Sequence, residues 1–381
     1  MATPIFDPVL PDRGGCTRRW QPVSLGTKEG TTPIVAATAS PAPANSSAPV
    51  PVLRHLQVEV TGACNLQCRM CLVRYRPALD RRTAHFPLDS FVALLDEAPQ
   101  VERVTLQGLG EPLLHPDLTA MVATCAARAI RVGFNTNGTL LTARRIDALL
   151  GAGLDWLHVS VDGATARTFE SIRDGARFDQ VIRNLRRVVA ARATLDATSP
   201  TVQLNAVLMR ANLPELVDLV RLAADVGVDR MWVQALSHDF GDTTGEDETY
   251  VAIRNHAAAQ AVWYDRGLVP SALDEARHVA SELGLDLRLP EQGPEPPWTA
   301  PLAADDLPCD WPWTGAYITH RGLVQPCCMV MGDDRVVLGD LATASLSDIW
   351  HDEPYQRFRS ALLTPRPPTV CQGCSSYRRV F

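Results

Sequence analysis

Six short runs of β-branched and apolar residues alternate with helical patterns between residues 53 and 236, and this alternation constrains the fold more than any other feature. Such runs, bounded by turn residues, are typical of β-strands, whereas apolar residues recurring every three or four positions indicate helices. The predicted strands are HLQVEV, VERVTLQ, IRVGFNT, LDWLHVSV, TVQLNAVLM and VDRMWVQAL. Alternating strands and helices form parallel sheets with the helices outside. The sequence therefore predicts an α/β fold, a partial (β/α)6 TIM-like barrel, with functional residues at the carboxyl ends of its strands.

Composition divides the chain into four segments. Residues 1–50 are rich in Pro, Ala, Ser and Thr without helical or strand periodicity, which predicts a flexible arm. Residues 51–242 hold the barrel, and residues 243–305 predict a helical connector that includes the run LDLRLP and a Pro-rich linker. Residues 306–381 hold five cysteines and predict a small C-terminal metal-cluster domain, because so short a segment needs a metal centre for stability. Barrel helices are expected at 88–97, 116–128, 142–151, 178–193 and 212–226.

The net charge of −7 argues against a nucleic-acid partner, because phosphate contacts favour a basic surface. The chain has no apolar stretch of about 18 residues, and its first residues lack the apolar centre of a signal peptide. We therefore expect a cytoplasmic protein with no membrane partner. In a reducing compartment, the ten cysteines favour metal ligation or thiol chemistry over a disulfide framework.

Three cysteines follow the first predicted strand at a C-x3-C-x2-C spacing, Cys64, Cys68 and Cys71. Three thiolates on one short loop can bind three irons of a cubane cluster and leave the fourth iron open. A structural zinc loop or buried free thiols are the alternatives. A zinc site would need a fourth ligand nearby, and His55 lies before the strand.

This triplet resembles the radical S-adenosylmethionine (SAM) superfamily, whose members use the spacing to hold a 4Fe-4S cluster that chelates SAM. Gly110 and Glu111 follow the second strand and resemble the family's GGEP segment, which binds the SAM amino group, although Leu109 replaces one glycine. Met70 stands where many members have an aromatic residue, and a thioether can fill the same space.

Further candidate cofactor-binding residues follow the next strands: Asn135 and Asn137 after the third, Ser160 at the end of the fourth, and Arg173 beyond it. The resemblance implies that Ser160 and Arg173 contact the SAM ribose or carboxylate. It also implies that the fifth and sixth strands flank the adenine and the substrate, through Asn205, Met209, Val233 and Gln234. A single Asn-Gly usually marks only a turn, but the order of these residues along successive strands supports the resemblance.

The resemblance also implies the chemistry. A reductant such as a flavodoxin or ferredoxin supplies an electron, and a 5′-deoxyadenosyl radical removes hydrogen from an unactivated C–H bond of the substrate.

The tail resembles the SPASM/Twitch extension of radical SAM enzymes in its segments CDWPW, GLVQPCC, DIW and CQGC. This resemblance implies one auxiliary 4Fe-4S cluster held by Cys309, Cys327, Cys371 and Cys374. Five cysteines cannot ligate two cubanes completely, which favours the single-cluster Twitch form. A structural zinc ion is the alternative. Spacing does not decide between Cys327 and Cys328, and Cys327 gives the simpler match.

Other residues have weaker predicted roles. Cys328 is a candidate hydrogen-atom donor for an epimerase, with simple packing near the cluster as the alternative, whereas Cys125 is expected in the core. A dehydrogenase would need a base, for which His238 and Asp239 are candidates, and Arg210 is a candidate ligand-binding residue; an ordinary loop position is the favoured interpretation of each.

We expect the substrate to be a small molecule, a carbohydrate, aminocyclitol or aminoglycoside-type natural product, with epimerisation or two-electron oxidation as the outcome. The alternative is a maturase that crosslinks or epimerises a ribosomally made peptide. Such enzymes tend to carry an N-terminal peptide-binding domain, for which the arm here is too polar and too rich in proline. A non-enzymatic iron-sulfur carrier is a third hypothesis.

Overall fold

Ten strands form one continuous sheet in the computed structural model, which describes residues 51–75, 85–195, 197–236, 248–262, 268–290, 309–332, 335–372 and 374. The strand order is β10-β9-β8-β1-β2-β3-β4-β5-β6-β7. The strands are β1 (His55–Val58), β2 (Arg103–Leu106), β3 (Arg131–Thr136), β4 (Trp156–Ser160), β5 (Thr201–Leu208), β6 (Arg230–Ala235), β7 (Asp286–Arg288), β8 (Gly315–Ile318), β9 (Leu323–Gln325) and β10 (Gly339–Asp340).

Strands β1 to β7 pair in parallel and in chain order, so all six predicted strands and the parallel sheet are confirmed. The run LDLRLP supplies β7, which adds a seventh parallel strand beside β6. The helices are α1 (Leu72–Tyr75), α2 (Leu88–Glu97), α3 (Leu118–Ala126), α4 (Ala143–Gly151), α5 (Ala166–Ile172), α6 (Phe178–Thr194), α7 (Leu216–Val226), α8 (Glu248–Gln260), α9 (Leu268–Leu283), α10 (Trp311–Thr314), α11 (Leu346–His351), α12 (Glu353–Leu362) and α13 (Thr369–Gln372). All five helices predicted for the barrel are present, and α1 and α5 are additional short helices.

The two faces of the parallel sheet differ in polarity. Since side chains alternate along a strand, Leu56 and Val58 face the helices, where they join the buried apolar core. The opposite face carries polar side chains in register, with Gln57 beside Thr105 on β2 and Ser160 beside Asn205 on β5. A polar inner face suits a barrel that binds ligands at its mouth.

The tail continues the barrel sheet beyond β1. Strand β8 pairs in parallel with β1, and His55 lies opposite Gly315. The hairpin partner β9 runs antiparallel to β8, and β10 follows at the edge. The carboxyl ends of β1 and β8 consequently lie at the same end of the sheet, which brings the start of the tail to the barrel mouth.

None of the helices described here is long and apolar enough to cross a bilayer. The predicted arm, the Pro-rich linker and the candidate bases His238 and Asp239 lie outside the described residues. Cys125 is fully buried in the core, as expected.

Candidate functional site

The cysteine loop leaves the carboxyl end of β1 and ends where α1 begins, one residue after Cys71. It is fastened to the turn between α5 and α6: Gln67 N donates to the Asp174 carbonyl (2.9 Å), and Arg69 N donates to the Ile172 carbonyl (3.0 Å). Main-chain bonds of this kind fix the loop without engaging its thiols. The three cysteine side chains are therefore presented from a loop whose position is set on both sides.

The three thiols of this loop lie close together. Burial and, to a smaller extent, the neighbouring Glu111, Cys71 and Cys68 together raise the pKa of Cys64 to about 12. Burial also raises the pKa of Cys68. Buried thiols so close together become thiolates when a cationic group lies among them. Three converging cysteines fit the three protein-bound irons of a SAM-binding 4Fe-4S cluster.

The segment 108–111 packs directly on the extension of β1. Glu111 N donates to the Ala63 carbonyl (2.8 Å), and Leu109 N donates to Glu59 Oε2 (2.7 Å). A Cβ atom on Gly110 would stand 2.0 Å from the Thr61 carbonyl oxygen, so only glycine fits there. The segment predicted to bind the SAM amino group is thereby placed beside the cysteine loop.

Glu111, which follows β2, hydrogen-bonds residues at the end of β3. Its buried carboxylate accepts hydrogen bonds from Thr136 Oγ1 (2.6 Å) and Asn137 N (2.8 Å), while burial raises its pKa. Asn137 Nδ2 donates in turn to Asn65 Oδ1 on the cysteine loop (2.9 Å). Two predicted cofactor residues, Glu111 and Asn137, therefore belong to one hydrogen-bonded network with the cysteine loop.

Arg173 lies between the cysteine loop and the end of β4. Its Nε is 2.7 Å from Oδ2 of Asp162, which is completely buried, and its Nη1 is 4.0 Å from Cys68 Sγ. The other Asp162 oxygen accepts from Val207 N (2.7 Å). Ser160 ends β4 opposite Asn205, and Asn135 pairs with His158 on the same sheet. The expected contacts of Ser160, Asn135 and Arg173 with SAM stay predictions.

The tail cysteines also converge. Burial raises the pKa of Cys327 well above its usual value, and Cys328, Cys374, Cys371 and Cys309 raise it further. Burial and, to a smaller extent, Cys374 and Cys309 together raise the pKa of Cys328 to about 12. Four cysteines suit a fully ligated iron-sulfur cluster. Cys327 lies near all three other predicted ligands, and Cys328 lies near Cys374 and Cys309, so the assignment of Cys327 as the fourth ligand stays a prediction.

Within the described ranges, no three His, Cys, Asp or Glu side chains are arranged to hold a single metal ion. Arg210 is exposed at the end of β5, and its main-chain N donates to the Gln260 carbonyl (2.9 Å).

Sequence reasoning missed a buried group between barrel and tail, formed by Glu59, Tyr317 and His320. Glu59 accepts from Tyr317 Oη (2.9 Å) and hydrogen-bonds the His320 ring. The alternation of HLQVEV places Glu59 on the polar inner face, which was an available signal. Its partners lie about 260 positions away and have no local signal in the sequence.

Comparisons with known proteins agree with this site. Residues 58–223 match the Radical SAM superfamily, and residues 309–375 match SPASM, an iron-sulfur cluster-binding domain. A tungsten-containing aldehyde ferredoxin oxidoreductase cofactor-modifying protein of Pyrococcus furiosus is 25% identical over 85% of this chain and 87% of its own. A PqqA peptide cyclase of Xanthomonas campestris is 28% identical over 85% of this chain and 80% of its own.

Among solved structures, Streptococcus suis SuiB bound to S-adenosylmethionine superposes with a TM-score of 0.64 at 19% identity, covering 86% of this chain and 72% of SuiB. This likeness confirms the fold. The two matched domains carry the cysteines that converge in the barrel and in the tail, and they imply a 4Fe-4S cluster with SAM and an auxiliary cluster. The chain therefore belongs to the radical SAM superfamily and carries a C-terminal SPASM domain.

Proposed function

We propose that this enzyme modifies a peptide, forming a crosslink or inverting a stereocentre. The match to the PqqA peptide cyclase carries the proposal, because it extends over 339 residues and 85% of this chain, which is far more than the barrel alone. A shared barrel alone would indicate only shared radical chemistry. Similarity that extends beyond the barrel supports a related way of binding the substrate.

Three groups of residues would have separate roles in this reaction. When bound, the barrel cluster and SAM supply a radical that removes a hydrogen atom from the substrate. Cys64, Cys68 and Cys71 would hold that cluster, and the segment 108–111 would hold the SAM amino group. The inner face of the sheet would orient the substrate through its amide and hydroxyl groups, since the amides of Gln203 and Asn205 hydrogen-bond each other (Nε2 to Oδ1, 2.6 Å) and each keeps a further donor and acceptor for a peptide backbone.

The carboxylates at the strand ends are paired within the protein, which favours a substrate without a cationic group. Glu59, Glu111 and Asp162 are buried, and each accepts hydrogen bonds from the protein itself. An amine-bearing sugar or aminocyclitol would favour a carboxylate that is free to pair with it. The carboxylates of Glu59 and Asp162 are already engaged within the protein, and that of Glu111 lies in the segment assigned to the SAM amino group, whereas a peptide backbone needs only neutral donors and acceptors.

The test uses anaerobically reconstituted full-length protein with SAM, a reductant and synthetic peptides encoded by short reading frames beside its gene. A peptide crosslink should appear in mass spectra as the loss of two hydrogens, and inversion in deuterated water as the gain of one deuterium at the inverted carbon. Each should be accompanied by 5′-deoxyadenosine. Unchanged peptides, with turnover of a sugar or aminocyclitol in parallel samples, would contradict the proposal.

A small-molecule substrate remains the second candidate, because the name of the Pyrococcus furiosus relative refers to modification of a cofactor. The expected oxidation or epimerisation of a carbohydrate stays a prediction, as does hydrogen donation by Cys328. Cys328→Ala should abolish inversion and leave hydrogen abstraction intact. Full product inversion by this variant would contradict the donor role.

A further inference from the structure

Glu59 lies at the point where the barrel, the tail and the SAM-binding segment meet. Its side chain is 5% exposed and receives hydrogen bonds from three parts of the molecule. Leu109 N donates from the segment 108–111 (2.7 Å), Tyr317 Oη donates from β8 (2.9 Å), and the His320 ring donates through Nδ1 from the turn after β8. We call these four residues the Glu59 junction.

Close packing makes this junction rigid. A Cβ atom on Gly108 would stand 2.2 Å from Glu59 Cγ, and one on Gly62 would stand 2.6 Å from His320 Cε1. The main chain at Gly108 therefore packs directly against Glu59, and the main chain at Gly62 packs directly against His320. A displacement of either side chain shifts the cysteine loop or the segment 108–111, since close-packed groups transmit strain.

The hydrogen-bond partners of Glu59 favour the ionised form of its carboxyl group. Burial raises the pKa of Glu59, but hydrogen bonds from His320, Leu109 and Tyr317 lower it by more, so the net shift is downward. An ionised carboxylate only accepts hydrogen bonds, so His320 donates through Nδ1. Hydrogen bonds to a buried charge are stronger than neutral ones. Of the three residues that donate hydrogen bonds to Glu59, Tyr317 and His320 belong to the tail, and Leu109 belongs to the segment 108–111.

We propose that Glu59 and His320 are positioning residues through which the tail controls SAM binding. The tail supplies His320 and Tyr317, these fix the carboxylate of Glu59, and Glu59 fixes Leu109 N. The adjacent Gly110 and Glu111 are thereby held where the SAM amino group binds. The inference rests on the chain's family membership and does not depend on whether the substrate is a peptide.

The first experiment measures the dissociation constant of SAM by equilibrium dialysis, with no substrate, on reconstituted full-length protein of known iron content. Glu59→Gln and His320→Leu should each weaken SAM binding about tenfold, the effect of losing one charge-assisted hydrogen bond. His320→Asn keeps a donor near the Nδ1 position and should stay within about threefold of the unaltered protein. His351→Leu is the matched control, because the ring of this exposed tail histidine hydrogen-bonds only the Ser347 carbonyl (2.8 Å) among the described residues, and its loss should not change SAM binding.

A double-variant cycle tests the coupling itself. Glu59→Gln combined with His320→Leu should bind SAM no more weakly than Glu59→Gln alone, because both remove the same support. Cys371→Ser, which removes a predicted tail ligand, should weaken SAM binding in the unaltered background and have no further effect in Glu59→Gln. Additive losses, or a SAM dissociation constant within about twofold of the unaltered protein in Glu59→Gln and His320→Leu at full iron content, would overturn the proposal. If His320→Leu does not fold, Glu59→Gln and Tyr317→Phe decide by the same criterion.

Discussion

Single residues in the SAM region are confined by the backbone around them. Gly110 touches the carbonyl groups of Thr61 and Ala63, so its hydrogen atom occupies the only space available. Asp162 and Arg173 form an ion pair with almost no access to water, beside Cys68. Both features are local in space, and both can be tested with one substitution and a matched control.

Gly110→Ala should abolish measurable SAM binding. The added methyl group meets main-chain atoms of Thr61 at 2.0 Å, which cannot move without displacing the cysteine loop. Gly151→Ala is the control, because a Cβ atom there has no neighbour within 4 Å in the described structure and the residue ends α4. Dialysis with SAM measures the first effect, and the control should bind normally and gain up to about 1 kcal/mol of stability. Normal SAM binding by Gly110→Ala would show that the segment can relax.

Asp162→Asn should lower the free energy of unfolding by about 3 to 5 kcal/mol, the usual cost of breaking a buried ion pair. Arg173 would stay buried without its counter-charge, and Val207 N would lose a charged acceptor. Asp218→Asn breaks the exposed pair with Arg221 and should cost less than about 1 kcal/mol. Anaerobic urea titrations of both variants provide the measurement. Equal midpoints for the two variants would contradict the buried-pair argument.

The sequence predicted those site residues whose signal is local. Cys64, Cys68 and Cys71 stand on one loop, and Glu111 follows a strand that the alternation marks clearly. The partners of Glu59 could not be predicted, because His320 lies 261 positions away and reaches it only through the pairing of β8 with β1. Contacts of the half-buried Trp311 and Trp232 were equally out of reach of the sequence: the Trp311 ring lies 4.9 Å from the His55 ring, and the Arg288 guanidinium lies 4.7 Å from the centre of the Trp232 ring.

At the scale of elements, α8 connects opposite sides of the barrel mouth. Tyr250 and Ile253 pack on Leu72 of α1, close to the cysteine loop, in an apolar cluster that also contains Leu109 and Met331. At the other end of α8, Gln260 accepts main-chain hydrogen bonds from residues 210 and 211 after β5. The helix therefore connects the region of the cysteine loop with the end of β5.

Ile253→Ala should weaken the packing of α8 on the rest of the barrel. Removing buried methyl groups costs about 2 to 5 kcal/mol, and here the loss falls on one small cluster instead of the main core. Amide hydrogens of α8 should exchange faster, while those of β3 to β5 keep their protection. Leu283→Ala, at an exposed position ending α9, should alter neither. Uniformly faster exchange across the sheet would show that α8 does not open by itself.

The barrel elements were predictable because periodicity identifies long strands and helices. β5 has eight residues and α6 has seventeen, enough for the pattern to be read. Strand β8 has four residues, and its parallel pairing with β1 depends on how the tail folds against the barrel. Tertiary contacts of that kind leave no periodic signal.

For the molecule as a whole, the two groups of cysteines predict two clusters joined through one sheet. The barrel group lies at the end of β1, and the tail group flanks the hairpin that pairs with β1, with Cys309 before it and Cys327, Cys371 and Cys374 after it. The tail therefore depends on the barrel for its strand pairing, and the barrel depends on the tail for the partners of Glu59. Metal content distinguishes this arrangement from a barrel with a zinc-stabilised tail.

Anaerobically reconstituted protein should contain about eight irons and eight sulfides per chain, the content of two cubane clusters. Cys68→Ser and Cys371→Ser should each retain about four irons, because each variant removes a ligand from a different group. Only Cys371→Ser should still release 5′-deoxyadenosine, since the barrel group binds SAM. About four irons with one zinc in the unaltered protein would assign the tail a structural zinc ion. That result would remove the auxiliary electron acceptor and favour epimerisation over crosslinking, because only a net oxidation of the peptide needs a site for the second electron.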